Sequence, residues 1–541
     1  MLSILASGLL VFAALAAAQD VAPPAQDVIR LKPGQRQLFL DDRTIEEVHQ
    51  LVRVMHRPEK RGAVVRPDIP SDGTLMQTRC EPVWVPEDGD FKLIYYAYGG
   101  GALGTGMAMA VSKDGLHWTK PRLGLVEVRG TTDNNWIAID SSVTAPNRAI
   151  DGVVYDPDDP DPYRRFKALL GAINRRPAIS PDCIHWALTG SEEIPSSDES
   201  HFLYDSDRRQ FHAIVKTSNA YGRAFAIASS TGFEHWTPNR PLFGADAVDQ
   251  EMAPAIIRRR IADPHMLGPL FVEPEPGTDA PRPDDGPRQP VWRAEVYNIA
   301  VFPYEGLYIG LPSMYYPTGT CLPERNNTDG FHVIQLAMSR DLENWSRLGE
   351  RQPFIEPSGI EHGRVGVYDR TQILAAGRPI VREDELWFYY SGLKWRDPIY
   401  ERNADGTPRD PATLTQEDRA DLEDGWGAIC LAVLRRDGFL SMDAAGDGYL
   451  LTKPLQVTGD RLFLNVSASA GGAQVEIMAA DGEPIPGFTR EEADPVTVDS
   501  VRLPVSWRGR ASIAALAGRP VRLMIHLESA QLYAFWTEEG T

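Results

Sequence analysis

Ser112-Lys113-Asp114-Gly115-Leu116-His117-Trp118 and Ser339-Arg340-Asp341-Leu342-Glu343-Asn344-Trp345 are two settings of one phrase. Ser180-Pro181-Asp182-Cys183-Ile184-His185-Trp186 is a third, and Ser230-Thr231-Gly232-Phe233-Glu234-His235-Trp236 is a degenerate fourth. Arg435-Arg436-Asp437-Gly438-Phe439 is a last version without Trp. Asp and Gly form tight turns, and a Trp just beyond them suits an aromatic plug beside a hairpin corner. A corner that recurs is the mark of a repeat architecture. The phrase therefore predicts the blades of a β-propeller.

Working outward from each phrase gives a unit of alternating, aromatic-rich strands. Unit one runs through Glu81–Val85, Phe91–Tyr96 and Met107–Val111, and unit two through Asp151–Tyr155 and Phe166–Leu170. Unit three has Asp198–Tyr204, Phe211–Val215 and Ala224–Ala228; unit four has Glu295–Val301, Leu307–Leu311 and Val333–Ala337. Unit five has Asp369–Leu374, Leu386–Tyr390 and Ala428–Val433. Five units predict a five-bladed ring over residues 35–454. Arg36–Asp42 reads as a strand that pairs with the last blade, because an open ring would leave an unpaired edge. Past Lys453-Pro454 the phrase stops, and short strands such as Arg461–Val466, Ala473–Met478 and Leu532–Trp536 follow at regular spacing. That spacing predicts a β-sandwich accessory domain over 455–541. The fold class is all-β, a five-bladed β-propeller followed by a C-terminal β-sandwich.

The bulk properties agree. The chain has 541 residues, with 43% hydrophobic and 24% charged, and its 43 Pro and 46 Gly imply many turns. Its net charge of −20 argues against nucleic acid, which needs a basic face. Residues 1–18 form an apolar run ending Ala16-Ala17-Ala18, read as a secretory signal peptide, and 19–34 form a Pro-rich linker. The first residues carry no Lys or Arg, so an uncleaved anchor is the alternative. The expected location is secreted or periplasmic, with no membrane insertion after cleavage. Cys80, Cys183, Cys321 and Cys430 show no metal-ligand spacing and read as buried thiols. The run Asp156-Pro157-Asp158-Asp159-Pro160-Asp161 has calcium-loop composition but reads as a solvated hairpin tip. No metal or other cofactor is expected.

The phrase at Ser339–Trp345, the blades and the trailing sandwich resemble the invertase- and arabinanase-type glycosidases, the five-bladed enzymes of glycoside hydrolase families 32 and 43. A nearer resemblance is to secreted bacterial relatives of the invertase group. It is carried by Leu38-Phe39-Leu40-Asp41-Asp42, Asn134-Asn135, the Tyr155–Asp161 run and Arg164-Arg165-Phe166-Lys167, then by Gln335–Asp341, Asp437-Gly438-Phe439 and Leu451-Thr452-Lys453-Pro454. The resemblance implies a glycosidase fold and a carbohydrate partner. The chain departs from it in three places. No Trp-Met-Asn-Asp-Pro nucleophile motif is present, Arg396-Asp397-Pro398 falls in a loop of blade five, and Glu81-Pro82 stands where the arabinanase type has Asp-Pro.

In a propeller the innermost strands line a central funnel, and the residues opening those strands surround its mouth. Glu81, Asp151, Asp198 or Glu199, Glu295 and Asp369 all fall at such openings. Glycoside hydrolysis needs one carboxyl held protonated and another held ionised, which crowding and burial arrange by driving their pKa values apart. Tyr297 and Asn298 flank Glu295 and suit sugar hydroxyls, and Arg370 suits a carboxylated or sulfated sugar. Trp395, Tyr315 and Tyr316 lie near loops and suit stacking on a sugar face, whereas the four corner Trp residues are plugs. The sequence thus reads as a secreted glycoside hydrolase acting on a poly- or oligosaccharide. The alternative is a non-catalytic glycan-binding propeller.

Overall fold

The computed structural model describes residues 28–98, 105–143, 148–266, 279–280, 289–320, 328–396 and 409–540. The expected signal peptide, much of the linker, Cys321, Asp397 and Pro398 lie outside the described residues. Among the described residues the chain is mostly β, with two α-helices, α1 (Ala247–Ala262) and α2 (Gln416–Glu423).

Five antiparallel sheets follow one another along the chain. In the first, Met76–Gln77 and Val83–Val85 line one edge of Asp90–Ala97, and Gly106–Ser112 lines the other. The inner strand is therefore broken, and Thr78–Pro82 bulges between its halves. The second sheet runs Ile150–Tyr155, Phe166–Leu170, Ile173–Ser180, His185–Leu188. The third runs Ser200–Asp205, Gln210–Asn219, Gly222–Ser230, Arg240–Gly244. In the fourth, Glu295–Tyr304 pairs with the long strand Leu307–Thr320, which also carries Thr328–Ile334 and Ala337–Ser339. The fifth runs Gln372–Ala375, Glu385–Leu393, Gly427–Arg435, Glu59–Val65.

Successive first strands pack side by side. Ile150–Tyr155 meets Val83–Val85 and Ser200–Asp205, Ser200–Asp205 meets Glu295–Tyr304, and Glu295–Tyr304 meets Gln372–Ala375. Met76–Gln77 in turn meets the fifth sheet, so the order closes on itself. The apolar cores lie between neighbouring sheets, as where Ile94, Met107 and Met109 pack with Ile150, Val153 and Phe166. Such burial is worth roughly 1.5–3 kcal/mol for each large apolar side chain.

The repeated phrase is a real structural unit. Asp114 Oδ1 accepts the N–H groups of Leu116 and His117 at 2.8 Å, and Ser112 Oγ accepts that of Gly115 at 2.9 Å. Asp182 and Asp341 repeat the pattern with the same 2.8 Å bonds. The residue after the Asp is left-handed whatever its type, with φ of 75° at Gly115, 68° at Cys183 and 63° at Leu342. The side-chain bonds hold non-glycine residues in a conformation their Cβ disfavours. Trp118 and Trp186 Nε1 each donate back to the carbonyl three residues earlier, of Gly115 and Cys183, at 3.1 Å. Trp186 is buried, and the other three corner Trp side chains are half-buried plugs. Trp345 lies so close over the fourth sheet that a Cβ added at Gly310 would meet its ring at 2.7 Å.

Two further sheets face one core. One is built on Pro520–Glu528 with Gly472–Ala479, Asp447–Thr452, Ile45–His49 and Leu455–Gln456. The other is built on Gln531–Glu538 with Arg461–Ser467, Asp499–Pro504, Leu440–Asp443, Val52–Met55 and Gln37–Leu38. Leu464, Val475, Ile525 and Trp507 fill the space between them.

These pairings correct one expectation and redraw another. Gln37–Leu38 does not complete the ring; it pairs with Gln531–Glu538, because Phe39 is buried in the last core beside Phe535. The strand that joins the ring's edge is Glu59–Val65, with Glu59 opposite Val433. Leu440–Asp443 and Asp447–Thr452 also belong to the last two sheets, so those sheets begin before residue 455. The Trp-less copy of the phrase is the crossover between the two groups. Its Asp437 is fully buried, paired with Arg36, and accepts from Tyr304 Oη at 2.6 Å and Asn465 Nδ2 at 2.9 Å.

Candidate active site

The inner strands bring four carboxylates together from three neighbouring sheets. Asp151 opens the second sheet, Asp198 and Glu199 the third, and Glu295 the fourth. Glu199 is buried, and both of its oxygens accept from the guanidinium of Arg79, the Nη2 bond being 2.6 Å. Arg79 sits in the break of the first sheet's inner strand, which is what frees it to reach across. Asn298 Nδ2 adds a 3.3 Å bond to Glu199.

Asp198 is the exposed member, with 57% of its side chain open to solvent. Its backbone is left-handed (φ 52°), a strained setting that clusters at functional sites. Lys216 Nζ lies 3.1 Å from its carboxylate. Burial alone would raise the Asp198 pKa, but Lys216, Arg79 and Arg223 outweigh it and hold the carboxyl below the usual range. Asp151 is different. Burial pushes its carboxyl up, against the pull of Arg175 at 3.1 Å. It accepts from Tyr96 Oη and, at 3.1 Å each, from the N–H and hydroxyl of Ser200, so it braces the turn that presents Asp198 and Glu199. Glu295 lies between Arg223 and Arg293; burial would raise it, and the two guanidiniums bring it below its ordinary value.

Tyr297 stands at the centre of this group. Lys216 Nζ lies 4.2 Å from its ring centroid, with the Arg396 and Arg223 guanidinium carbons at 5.1 and 5.7 Å. The His332 ring packs against Tyr297 at 4.7 Å and against Tyr315 at 5.1 Å. His332 is fully buried, and among the described residues neither ring nitrogen has a hydrogen-bond partner. Burial, helped by Arg396, Lys216, Arg223 and Arg79, holds it well below the usual histidine pKa, so it is neutral. Burial also raises Tyr297 to about 12, with Asp198 adding to the effect. Lys216 is drawn below the usual lysine value by burial, although Asp198 and Glu199 pull it up.

The remaining sequence candidates lie apart from this group. Glu81 is in a second cluster, where it accepts the Arg378 N–H at 2.6 Å and abuts Gly377; burial raises its pKa against the pull of Arg378. Asp369 is buried against Lys60 at 3.1 Å and Tyr390 Oη at 2.9 Å, within the packing of the fifth sheet. Arg370 is fully buried and bonds Asp421 of α2 at 2.6 Å. Trp395 is buried and stacked on Trp426 at 6.3 Å, with no face open to a sugar. Tyr316 is buried against Phe331 and forms the wall of a separate cavity of about 360 Å³ between α1 and Thr328–Ile334. In the acidic run, the Lys167 ammonium is held at 2.8 Å by both Asp156 and Asp159, the place a cation would otherwise take.

Sequence reasoning missed Arg79, Lys216, Arg223 and His332 as parts of this site, and named Tyr315 only as a surface for a sugar face. Arg79 carried a faint signal, standing two residues before Glu81 at a strand opening. The others sit on second and third strands, and their convergence follows from strand register, such as Lys216 opposite Phe225 and Tyr315 opposite both Glu295 and His332.

No family model matches the chain, and no curated protein matches it. Among solved structures it is similar to an exo-beta-1,3-galactanase from Phanerochaete chrysosporium, with 11% identity, TM-score 0.33, and coverage of 88% of this chain and 99% of that one. A Bombyx mori GH32 beta-fructofuranosidase gives 11% identity and TM-score 0.36, covering 90% and 95%. An alpha-L-arabinofuranosidase from Podospora anserina gives 10% and 0.35, covering 70% and 97%. Values this low say nothing of activity.

Proposed function

We propose that this chain is a secreted glycoside hydrolase acting on a poly- or oligosaccharide, built as a five-bladed propeller carrying a β-sandwich. The sheet pairings support a propeller over about 59–435 and a sandwich assembled from 28–55 and 440–540. The observation that carries the functional reading is the convergence of Asp198, Glu199, Asp151 and Glu295 around Tyr297 and Asn298. Asp198, ionised and open to solvent, is the base or nucleophile. Glu199 is the proton donor, with Asn298 and Tyr297 beside it for sugar hydroxyls, and Asp151 is a positioning residue behind both.

Proton donation from Glu199 requires that substrate draw Arg79 away, because that guanidinium occupies both carboxylate oxygens. The same clamp favours a second reading, a non-catalytic glycan-binding propeller, since each of the four carboxylates is paired with a cation. The test is release of reducing ends from plant and algal polysaccharides by the intact chain and by Asp198→Asn and Glu199→Gln. Loss of release in both variants supports the hydrolase. Tight glycan binding with no release by the parent chain supports the second reading.

A further inference from the structure

A recess of about 490 Å³ lies on the outer face of the sheet built on Pro520–Glu528, and it shares no residue with the funnel. Strand register makes its floor. His49 stands opposite Tyr449, Tyr449 opposite His526, and His526 opposite Gln474, so side chains from four adjacent strands form one row. Their neighbours Leu450, Ile525 and Val475 are buried in the core between the last two sheets, and the pleat turns the row itself outward. The segment bearing Arg490, Pro495 and Thr497 borders the Gln474 end.

The row joins aromatic faces to polar groups. The His49 and Tyr449 rings stack at 5.1 Å and 19°, and the His526 ring lies 6.1 Å from Tyr449 at 57°. Tyr449 Oη donates to Glu47 Oε1 at 2.6 Å, and Gln474 Nε2 donates to the Ala493 and Arg490 carbonyls at 3.2 and 3.4 Å. Side chains held in this way lose little freedom when a ligand lands on them.

His526 supplies an independent sign of a ligand. Its side chain is 13% exposed, and among the described residues its buried Nε2 has no hydrogen-bond partner. Glu476 Oε2 is 3.8 Å away, beyond hydrogen-bond reach. Burial, with Arg490 adding to it, lowers the ring's pKa to about 4, so at neutral pH it is uncharged and forms no ion pair with Glu476. A buried nitrogen left unmet costs free energy until a water or a ligand group fills it. A hydroxyl both donates and accepts, so it satisfies either tautomer. Charge narrows the choice further. Asp447 and Glu528 border the recess against Arg490, which leaves no surplus cation for an acidic polymer. The core of a protein interface is apolar and poor in charge, unlike this row.

We infer that this recess is a second glycan-binding site, which takes a neutral saccharide with its C–H face on the His49 and Tyr449 rings and its hydroxyls on His526 Nε2, Gln474 and Arg490. The inference shares the glycan reading proposed above and needs no catalysis. Two sites on one chain hold a polymer more firmly than either holds it alone.

The test is affinity electrophoresis of the full chain through gels holding, in turn, arabinan, mannan, β-1,3-galactan, inulin and laminarin. At least one polymer is expected to retard the chain. Tyr449→Ala and His526→Ala each weaken that binding roughly tenfold with circular dichroism unchanged, whereas Tyr449→Phe keeps the ring and keeps the binding. Thr497→Trp, at an exposed position on the border, blocks the recess and weakens it likewise. NaCl at about 0.5 M leaves it in place, because no charge pairing is involved. No retardation by any of these polymers, or retardation that all three weakening variants keep, overturns the inference. So does loss of binding in salt, which marks a charged ligand. A dimer in sedimentation velocity that Tyr449→Ala dissociates overturns it too, by giving the face to a second copy. Retardation that depends on Tyr449 and His526, with no reducing ends released from any polymer the chain binds, overturns the hydrolase reading and leaves this one standing. Release of reducing ends with retardation indifferent to these variants does the reverse.

Discussion

Removing Arg79 tests how the site is held. Its guanidinium side chain is 4% exposed and its partner Glu199 is 9% exposed, so the pair is desolvated on both sides. Arg79 also donates to the Thr78 carbonyl at 3.0 Å and to Gln77 Oε1 at 2.9 Å. In Arg79→Met the methionine fills much of the volume, but among the described residues Glu199 keeps only the 3.3 Å bond from Asn298. Stranding one member of a buried ion pair typically costs about 3–5 kcal/mol, or roughly two to four orders of magnitude in the unfolding equilibrium. In Arg79→Met/Glu199→Gln the charge is gone and the amide oxygen still accepts from Asn298, so at least ~2 kcal/mol returns. Urea unfolding followed by tryptophan fluorescence measures all three proteins. A loss below ~1 kcal/mol in the single variant, or a double variant no more stable than the single, would refute the reasoning.

Two further predictions concern the scaffold. Burial lowers the His201 pKa to about 4 while its Nε2 bonds the Val301 carbonyl at 2.9 Å, so the unfolded chain binds the extra proton between about pH 6.5 and 4. His201 therefore contributes full stability above pH 6.5 and loses roughly 3 kcal/mol as pH falls through that window; His201→Gln flattens the urea midpoint against pH there, and an unchanged slope contradicts the assignment. Gly310→Ala places a methyl against the Trp345 ring and costs ~1–3 kcal/mol, recovered in part by Gly310→Ala/Trp345→Leu; a silent Gly310→Ala shows that the corner is looser than described.

What the sequence made legible is what short-range chemistry dictates. The Ser–Asp corners are local, each bonded within four residues, so their phrase marked sheet edges wherever it occurred. Strand openings followed from the same ruler, and with them Asp151, Asp198 and Glu295. Ring closure was misread because hydrophobic strength is a poor guide to partner. Leu38-Phe39-Leu40 is strongly apolar since it feeds two cores at once, Phe39 that of the last two sheets and Leu38 and Leu40 that beside the fourth and fifth, whereas Glu59-Lys60-Arg61-Gly62 is polar since it forms an outer, half-solvated edge. Helix α1 has little apolar periodicity and contains Pro254, and its one signal was the capping pair Asp246 and Asp249. Asp369 shares the strand-opening pattern, yet the fifth sheet buries it against Lys60 and Tyr390, and the break in the first sheet brings Arg79 rather than a carboxylate beside Glu199. That crossing of chains is tertiary, and no spacing records it.

The central claim is that Asp198 and Glu199 work as a pair on a glycosidic bond. It is tested most directly by the rate at which the intact chain releases reducing ends from a bound polysaccharide, beside Asp198→Asn and Glu199→Gln. The account predicts measurable release by the parent chain and a drop of roughly 10²-fold or more in each variant, with glycan binding retained. Undiminished release in both variants, or no release from any glycan the chain binds, would contradict it.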